Sequence, residues 1–181
     1  MKTLNSGIAS LALAAMGVLA ACSSTPRSPD VAANVRNSLK SASLKDVSVS
    51  QDREKGVVTL TGKVRSEADK AQAESLAKSI AAGQVVADEI AVIPPGTDSE
   101  ARKINSDLDK GIENNLHAAL VSQRLDYGVK CSVKNKVVTL TGNVDSEDSR
   151  ARAQSVAVGV PYVAQVVNEL QVTGQKATSS N

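Results

Sequence analysis

The chain has no tryptophan, no phenylalanine and only two tyrosines, Tyr127 and Tyr162, among 181 residues. Base-stacking platforms and large aromatic-lined pockets are built from such rings, so the composition argues against both. Histidine occurs once, at His117, and cysteine twice, at Cys22 and Cys131. That stock leaves almost nothing from which to build a zinc or haem centre. Neither sign of charge dominates: 21 basic side chains face 19 acidic ones, a formal +2. No broad basic field therefore marks a nucleic-acid partner. The patterns G-x-x-x-x-G-K-S/T, G-x-S-x-G and H-E-x-x-H are all missing, which removes phosphate-loop, hydrolase and zincin chemistry. What is present, 41% apolar and 22% charged residues, is the make-up of a soluble globular chain, with length for one ordinary domain or two small ones.

The start of the chain reads as an address. Met1 and Lys2 are followed by the apolar run Leu11–Ala21, too short for the roughly 20 residues that cross a bilayer. A weakly basic opening, a short apolar run and small residues describe a secretory signal peptide over residues 1–21. Leu19-Ala20-Ala21-Cys22 resembles the bacterial lipobox. The resemblance implies that Cys22 becomes an acylated, palmitate-bearing N-terminus, and Ser23 after it resembles the outer-membrane sorting pattern. Two or more acyl chains anchor stably where one does not. Residues 22–28 are then the anchor and a tether, and Cys131 is left without a disulfide partner.

An internal repeat follows. Val57-Val58-Thr59-Leu60-Thr61-Gly62 recurs as Val137-Val138-Thr139-Leu140-Thr141-Gly142, and residues 57–92 set on 137–172 without gaps give 16 identities in 36 positions. Upstream the register slips by one, with Val31, Val35, Leu39 and Leu44 on Ile112, Leu116, Leu120 and Leu125. The chain therefore holds two copies of one unit: domain one over 29–93, a Pro94-Pro95-Gly96 linker within 94–98, domain two over 99–173, and a disordered tail over 174–181.

Each copy reads helix, strand, strand, helix, strand, an α+β fold with two helices on a three-stranded sheet. The first helix of copy one is expected to start at Ser28 as N-cap with Pro29 in its first turn. Its counterpart starts from the capping-box pattern Thr97-x-x-Glu100, carries Ile104, Leu108, Ile112, Leu116 and Leu120 on one stripe, and is about two turns longer. Val47 and Val49 alternate with serines ahead of a turn at 52–56. In copy two Val129, Cys131 and Val133 take the inward phase, which predicts a buried structural thiol. Ser66 and Ser146 are the N-caps of the second helices, whose apolar faces are Ala73, Leu76, Ala77, Ile80 and Ala153, Val156, Ala157, Val160.

A helix, V-x-V strands, V-V-T-L-T-G-x-V, then S-E with an alanine-rich helix and finally Asn168-Glu169-Leu170 resemble the BON domain, over about 135 of the 181 residues. A lipobox followed by two such units resembles the dual-BON outer-membrane lipoproteins. The resemblance implies a non-catalytic, periplasm-facing protein tied to osmotic stress, envelope integrity and phospholipid. It also implies that the Arg102–Leu120 helix carries contact with anionic lipid. The sequence departs from the family in having no aromatic residue on that helix and Lys136 where copy one keeps Gly56.

Headgroup binding needs local positive charge, worth about 1 kcal/mol per Lys or Arg near the surface. Each copy carries nine basic and nine acidic residues, so any such site must be a patch. The candidates are Lys130, Lys134 and Lys136 on the outward side of the second hairpin, with Arg102, Lys103 and Lys110 on the long helix. A protein-binding adaptor that recruits an envelope partner through sheet edges or helix faces is the alternative. A Cys131–His117 nucleophilic pair lacks an orienting third group. Asp145, Glu147 and Asp148 lack EF-hand spacing and suit helix capping. No cofactor or metal is expected.

Overall fold

The computed structural model describes residues 27–172. The leader over 1–21, Cys22, the tether as far as residue 26 and the 174–181 tail lie outside the described residues. Domain one runs α1 (Ala32–Ser41), β1 (Val47–Asp52), β2 (Val57–Val64), α2 (Glu67–Ile80) and β3 (Val85–Val92). Domain two runs α3 (Asp98–Ser122), β4 (Val129–Lys134), β5 (Val137–Val144), α4 (Glu147–Val158), β6 (Gln165–Asn168) and β7 (Gln171–Val172). In the first sheet β2 is central, antiparallel to β1 and parallel to β3. In the second, β5 is central between β4 and a third strand broken into β6 and β7 around Glu169 and Leu170.

Strand alternation decides what each sheet face touches. Val58, Leu60 and Val64 on β2, with Val86 and Ile90 on β3, join Val35, Leu39, Ala73 and Ala77 of the helices in one core. Ala73 and Ala77 are fully buried, and a methyl group there lets α2 lie close to the sheet. Domain two repeats this with Val138, Leu140, Leu116, Leu120, Ala153 and Ala157. The opposite phase supplies a third cluster, Val57, Ala87, Val137 and Val167, through which the two sheets meet back to back. Around it, Lys55 pairs with Glu169 at 2.5 Å and Lys134 with Glu89 at 3.1 Å. Gln165 lays its amide on the β3 edge, donating to the Val86 carbonyl at 2.6 Å and accepting from the Asp88 N–H at 3.0 Å. That stretch of β3 edge is therefore occupied rather than free.

Several local expectations are corrected. Ser28 does not cap α1; its backbone pairs with Arg53 instead. The cap comes from β1, where the Gln51 carboxamide oxygen accepts from the N–H groups of Val31 and Ala32 at 3.1 and 3.2 Å. Gln51→Ala is accordingly expected to lower domain-one stability by about 1 kcal/mol in urea unfolding, the usual scale for a lost N-cap. Thr97 precedes α3 but its hydroxyl donates to the Pro94 carbonyl, so no capping box forms. Ser66 and Ser146 do cap α2 and α4, accepting from the Asp69 and Ser149 N–H groups. The 25 residues of α3 against 10 in α1 make it about four turns longer, not two. Ile104, assigned to the apolar stripe, is 65% exposed because that part of α3 runs beyond the domain-two core. Cys131 faces inward yet is only half-buried.

Candidate functional site

The extra turns of α3 have a specific anchor. Asp109 accepts the N–H groups of Asn135 and Lys136 at 2.7 and 2.8 Å. Those two residues have φ of +49° and +68°, the tight hairpin turn in which both central residues take positive φ. Their consecutive N–H groups form a concavity suited to an anion, and Asp109 fills it. The Asn135 amide continues into domain one, donating to the Glu89 carbonyl at 2.7 Å. The long helix, the second hairpin and the back of domain one are thereby joined.

Around this junction the six basic candidates separate. Arg102, Lys110 and Lys134 line one groove of about 380 Å³ between α3 and the hairpin, shared with Asp109 and Glu113. Arg102 also holds Asp98 at 3.1 Å, one turn earlier. That contact, with Lys63 adding, keeps the Asp98 carboxyl below the usual carboxylate range. Lys134 remains largely exposed while pairing with Glu89. Lys103 is exposed on α3 outside the groove lining. Lys136 sits in the turn and lines a small interdomain cleft with Glu67, Lys70 and Asn105. Lys130 lies on a different groove, between α3 and β4. The structure thus gathers three of the six and disperses the others.

The chemistry-bearing residues outside that patch take structural partners. Burial pushes the Cys131 thiol up, and the Glu113 charge adds to the effect. The thiol is therefore protonated at neutral pH, whereas the nucleophile would be the thiolate. Asp145 accepts from the hydroxyls of Ser146 and Ser149, and Glu147 pairs with Arg150. Sequence reasoning assigned no interdomain role to Gln165, Asn135 or the carboxylates Glu89 and Glu169, which carry that contact. The repeat held a signal for the last two, since Glu89 and Glu169 are an identity at equivalent positions. No described helix is long and apolar enough to cross a membrane.

Fold and site define a class: two copies of one α+β module joined back to back, with surface charge in grooves between helix and hairpin. The BON domain model matches residues 28–94 and 108–174, and the chain belongs to the BON domain family. Its relatives include osmotically-inducible protein Y of Escherichia coli (strain K12), 31% identical over 129 residues. That match covers 70% of this chain and 61% of the relative, so the chain spans about three-fifths of the relative's length. Among solved structures, the C-terminal domain of CdsD, a structural protein of the type III secretion system of Chlamydia trachomatis, is 14% identical with a TM-score of 0.35. That match covers 80% of this chain and 98% of CdsD's. A second CdsD structure gives a TM-score of 0.34 at 14% identity, over 77% of this chain and 90% of that one.

Proposed function

We propose that this protein is a non-catalytic envelope lipoprotein, held at the periplasmic side of the outer membrane by acylated Cys22, whose α3 face meets anionic phospholipid headgroups and supports envelope integrity under stress. The observation that carries the reading is the convergence of Arg102 and Lys110 from α3 with Lys134 from the hairpin on one groove. Ile104, 65% exposed on the same stretch of helix, supplies apolar contact at the headgroup level. The lipobox and the osmotically inducible relative support the location and the stress context. The anchor sets where the protein sits, so the folded part needs only weak, selective contacts.

Flotation of the non-acylated chain 22–181 carrying Cys22→Ser with lipid vesicles tests it. Binding is expected to anionic vesicles, to weaken as salt shortens the Debye length, and to be absent on neutral ones. The triple variant Arg102→Gln/Lys103→Gln/Lys110→Gln, which leaves the Lys134–Glu89 pair intact, is expected to bind at least about tenfold more weakly, given about 1 kcal/mol per basic residue before screening. Equal binding to neutral and anionic vesicles would refute the electrostatic contact.

A further inference from the structure

The duplication provides an internal comparison. The helix alignment that sets Val35 on Leu116 and Leu39 on Leu120 sets Arg36 on His117. Strand register sets Val49, opposite Leu60, on Cys131, opposite Leu140. In domain one the Arg36 guanidinium donates to the Val49 carbonyl at 3.3 Å, lying across the outer edge of β1. At the same place in domain two stands the shorter His117, which makes no hydrogen bond to Cys131 among the described residues. Both line a groove of about 520 Å³ between α3 and β4.

The backbone at this edge is turned outward. Gly128 accepts from Asn143 of the neighbouring strand, and antiparallel pairing alternates, so Lys130, Ser132 and Lys134 face β5. Val129, Cys131 and Val133 then point their N–H and C=O groups away from the sheet, and no strand flanks β4 on that side among the described residues. Leu120 and Val129 form apolar lining, while Glu113 and Asp126 contribute two carboxylates against the single ammonium of Lys130.

We propose that this groove is a strand-addition site for an extended, arginine-bearing segment of a partner protein. The segment pairs with the outward groups of Cys131 and Val133, as peptides add to open sheet edges elsewhere. Its guanidinium lies beside His117, the counterpart of Arg36, and meets the carboxylates of Glu113 and Asp126. Domain one shows the filled form of the site with its own side chain as plug. Domain two keeps the site open because His117 is too short to close it. The groove adjoins the one assigned to headgroup contact and shares Glu113 with it, so peptide and vesicles are tested separately.

The chain 22–181 carrying Cys22→Ser tests it, since both cores are built from residues 31–172 alone. The probe is the end-blocked pentapeptide Thr-Val-Arg-Val-Thr, with its Arg→Gln version as control. Millimolar probe is expected to shift the amide resonances of residues 129–133 saturably and to slow alkylation of Cys131. The Gln peptide should bind at least about fivefold more weakly, as charge-assisted hydrogen bonds are the strong ones. His117→Arg, which supplies the plug in cis, should abolish binding while leaving the urea midpoint at or above the parent value. Glu113→Gln/Asp126→Asn should weaken binding without altering the spectrum of the free protein. An absence of shifts at 129–133, equal affinity for both peptides, or undiminished binding to His117→Arg overturns the proposal. So does movement of the same amides by anionic vesicles and not by the peptide, which would make the groove a membrane contact.

Discussion

Gly142→Ala is expected to cost domain two about 3 kcal/mol or more and to leave it largely unfolded at 37 °C, while domain one keeps its dispersed resonances. Gly142 has φ +116°, and a Cβ built there would overlap the carbonyl oxygen of Gly128. That oxygen is already committed, accepting the Asn143 N–H at 2.9 Å where β5 meets the start of β4. The clash is with backbone, so no side-chain rotation relieves it. Strain in a sparsely populated φ region costs on the order of 1–3 kcal/mol by itself, and displacing a paired carbonyl adds about 1 kcal/mol more. A domain of this size buries only about 60% of its unfolded surface and has little stability in reserve. Gly62 stands in the same relation to Asp46 with φ +120°, so Gly62→Ala is expected to do to domain one what Gly142→Ala does to domain two. Thr141→Ala is the control: its side chain is half-buried on the sheet face away from the domain-two helices, and a loss under about 1 kcal/mol is expected. Urea unfolding followed by domain-resolved resonances reads all three.

The second large effect is a gain. Asp88 is the one buried charged residue among those described, 5% exposed at the middle of β3. Its carboxylate accepts the Ile90 N–H at 3.2 Å, and Lys70 lies 4.0 Å away. Burial nevertheless dominates and pushes the carboxyl above its ordinary value, with the charges of Glu74 and Glu67 adding to the rise. The equivalent residue in domain two is Asn168, which accepts from the Leu170 N–H at the same 3.2 Å and donates to the Arg150 carbonyl and the Gln154 side chain. A neutral amide thus fits this position, and in domain one it would find the Lys70 carbonyl and Glu74 at the matching places. Asp88→Asn is expected to stabilise domain one at pH 7 and raise its urea midpoint, because the amide keeps the Ile90 contact without a buried charge.

The pH dependence follows with a definite sign. A carboxyl whose folded value lies above its unfolded one binds its proton more tightly in the folded state, so stability falls as pH rises through that interval. The contribution of Asp88 is present in full below the ordinary carboxylate value of 3.8 and is lost as pH climbs through the raised one. The Asp88→Asn variant and its parent should therefore have nearly the same urea midpoint at the acid end of that interval and diverge to a constant difference above it. A difference that stays flat across the whole range would assign the gain to packing rather than to charge.

Much of the architecture could be read in one dimension because it rests on periodicity and repetition. The duplication shows as 16 identities in 36 positions, and the alternation of Val58 and Leu60 with Val57 and Thr59 marks a two-faced strand. The Ser66 and Ser146 caps are local, set by residues three apart in the chain. The failed caps are the instructive contrast. Ser28 and Thr97 have the right chemistry and find other partners; at the α1 terminus Gln51, 20 residues away in sequence, takes the capping place. Ile104 has the right spacing for a core stripe, but a helical stripe is buried only as far as there is a sheet beneath it. The basic candidates were similarly legible as outward residues, yet whether Lys130 and Lys134 share a groove depends on where α3 crosses the hairpin.

The amino-acid order by itself determined the two modules, their element sequence and the inward and outward faces, since all of these follow from short-range patterns that repeat. The tertiary structure alone decided that the sheets meet back to back through Val57, Ala87, Val137 and Val167, that Gln165 covers part of the β3 edge, and that the counterpart of a plugged edge in domain one stands open in domain two. Those outcomes depend on which surfaces come within a few ångströms of one another, and contacts between residues some 80 positions apart leave no periodic trace in the chain.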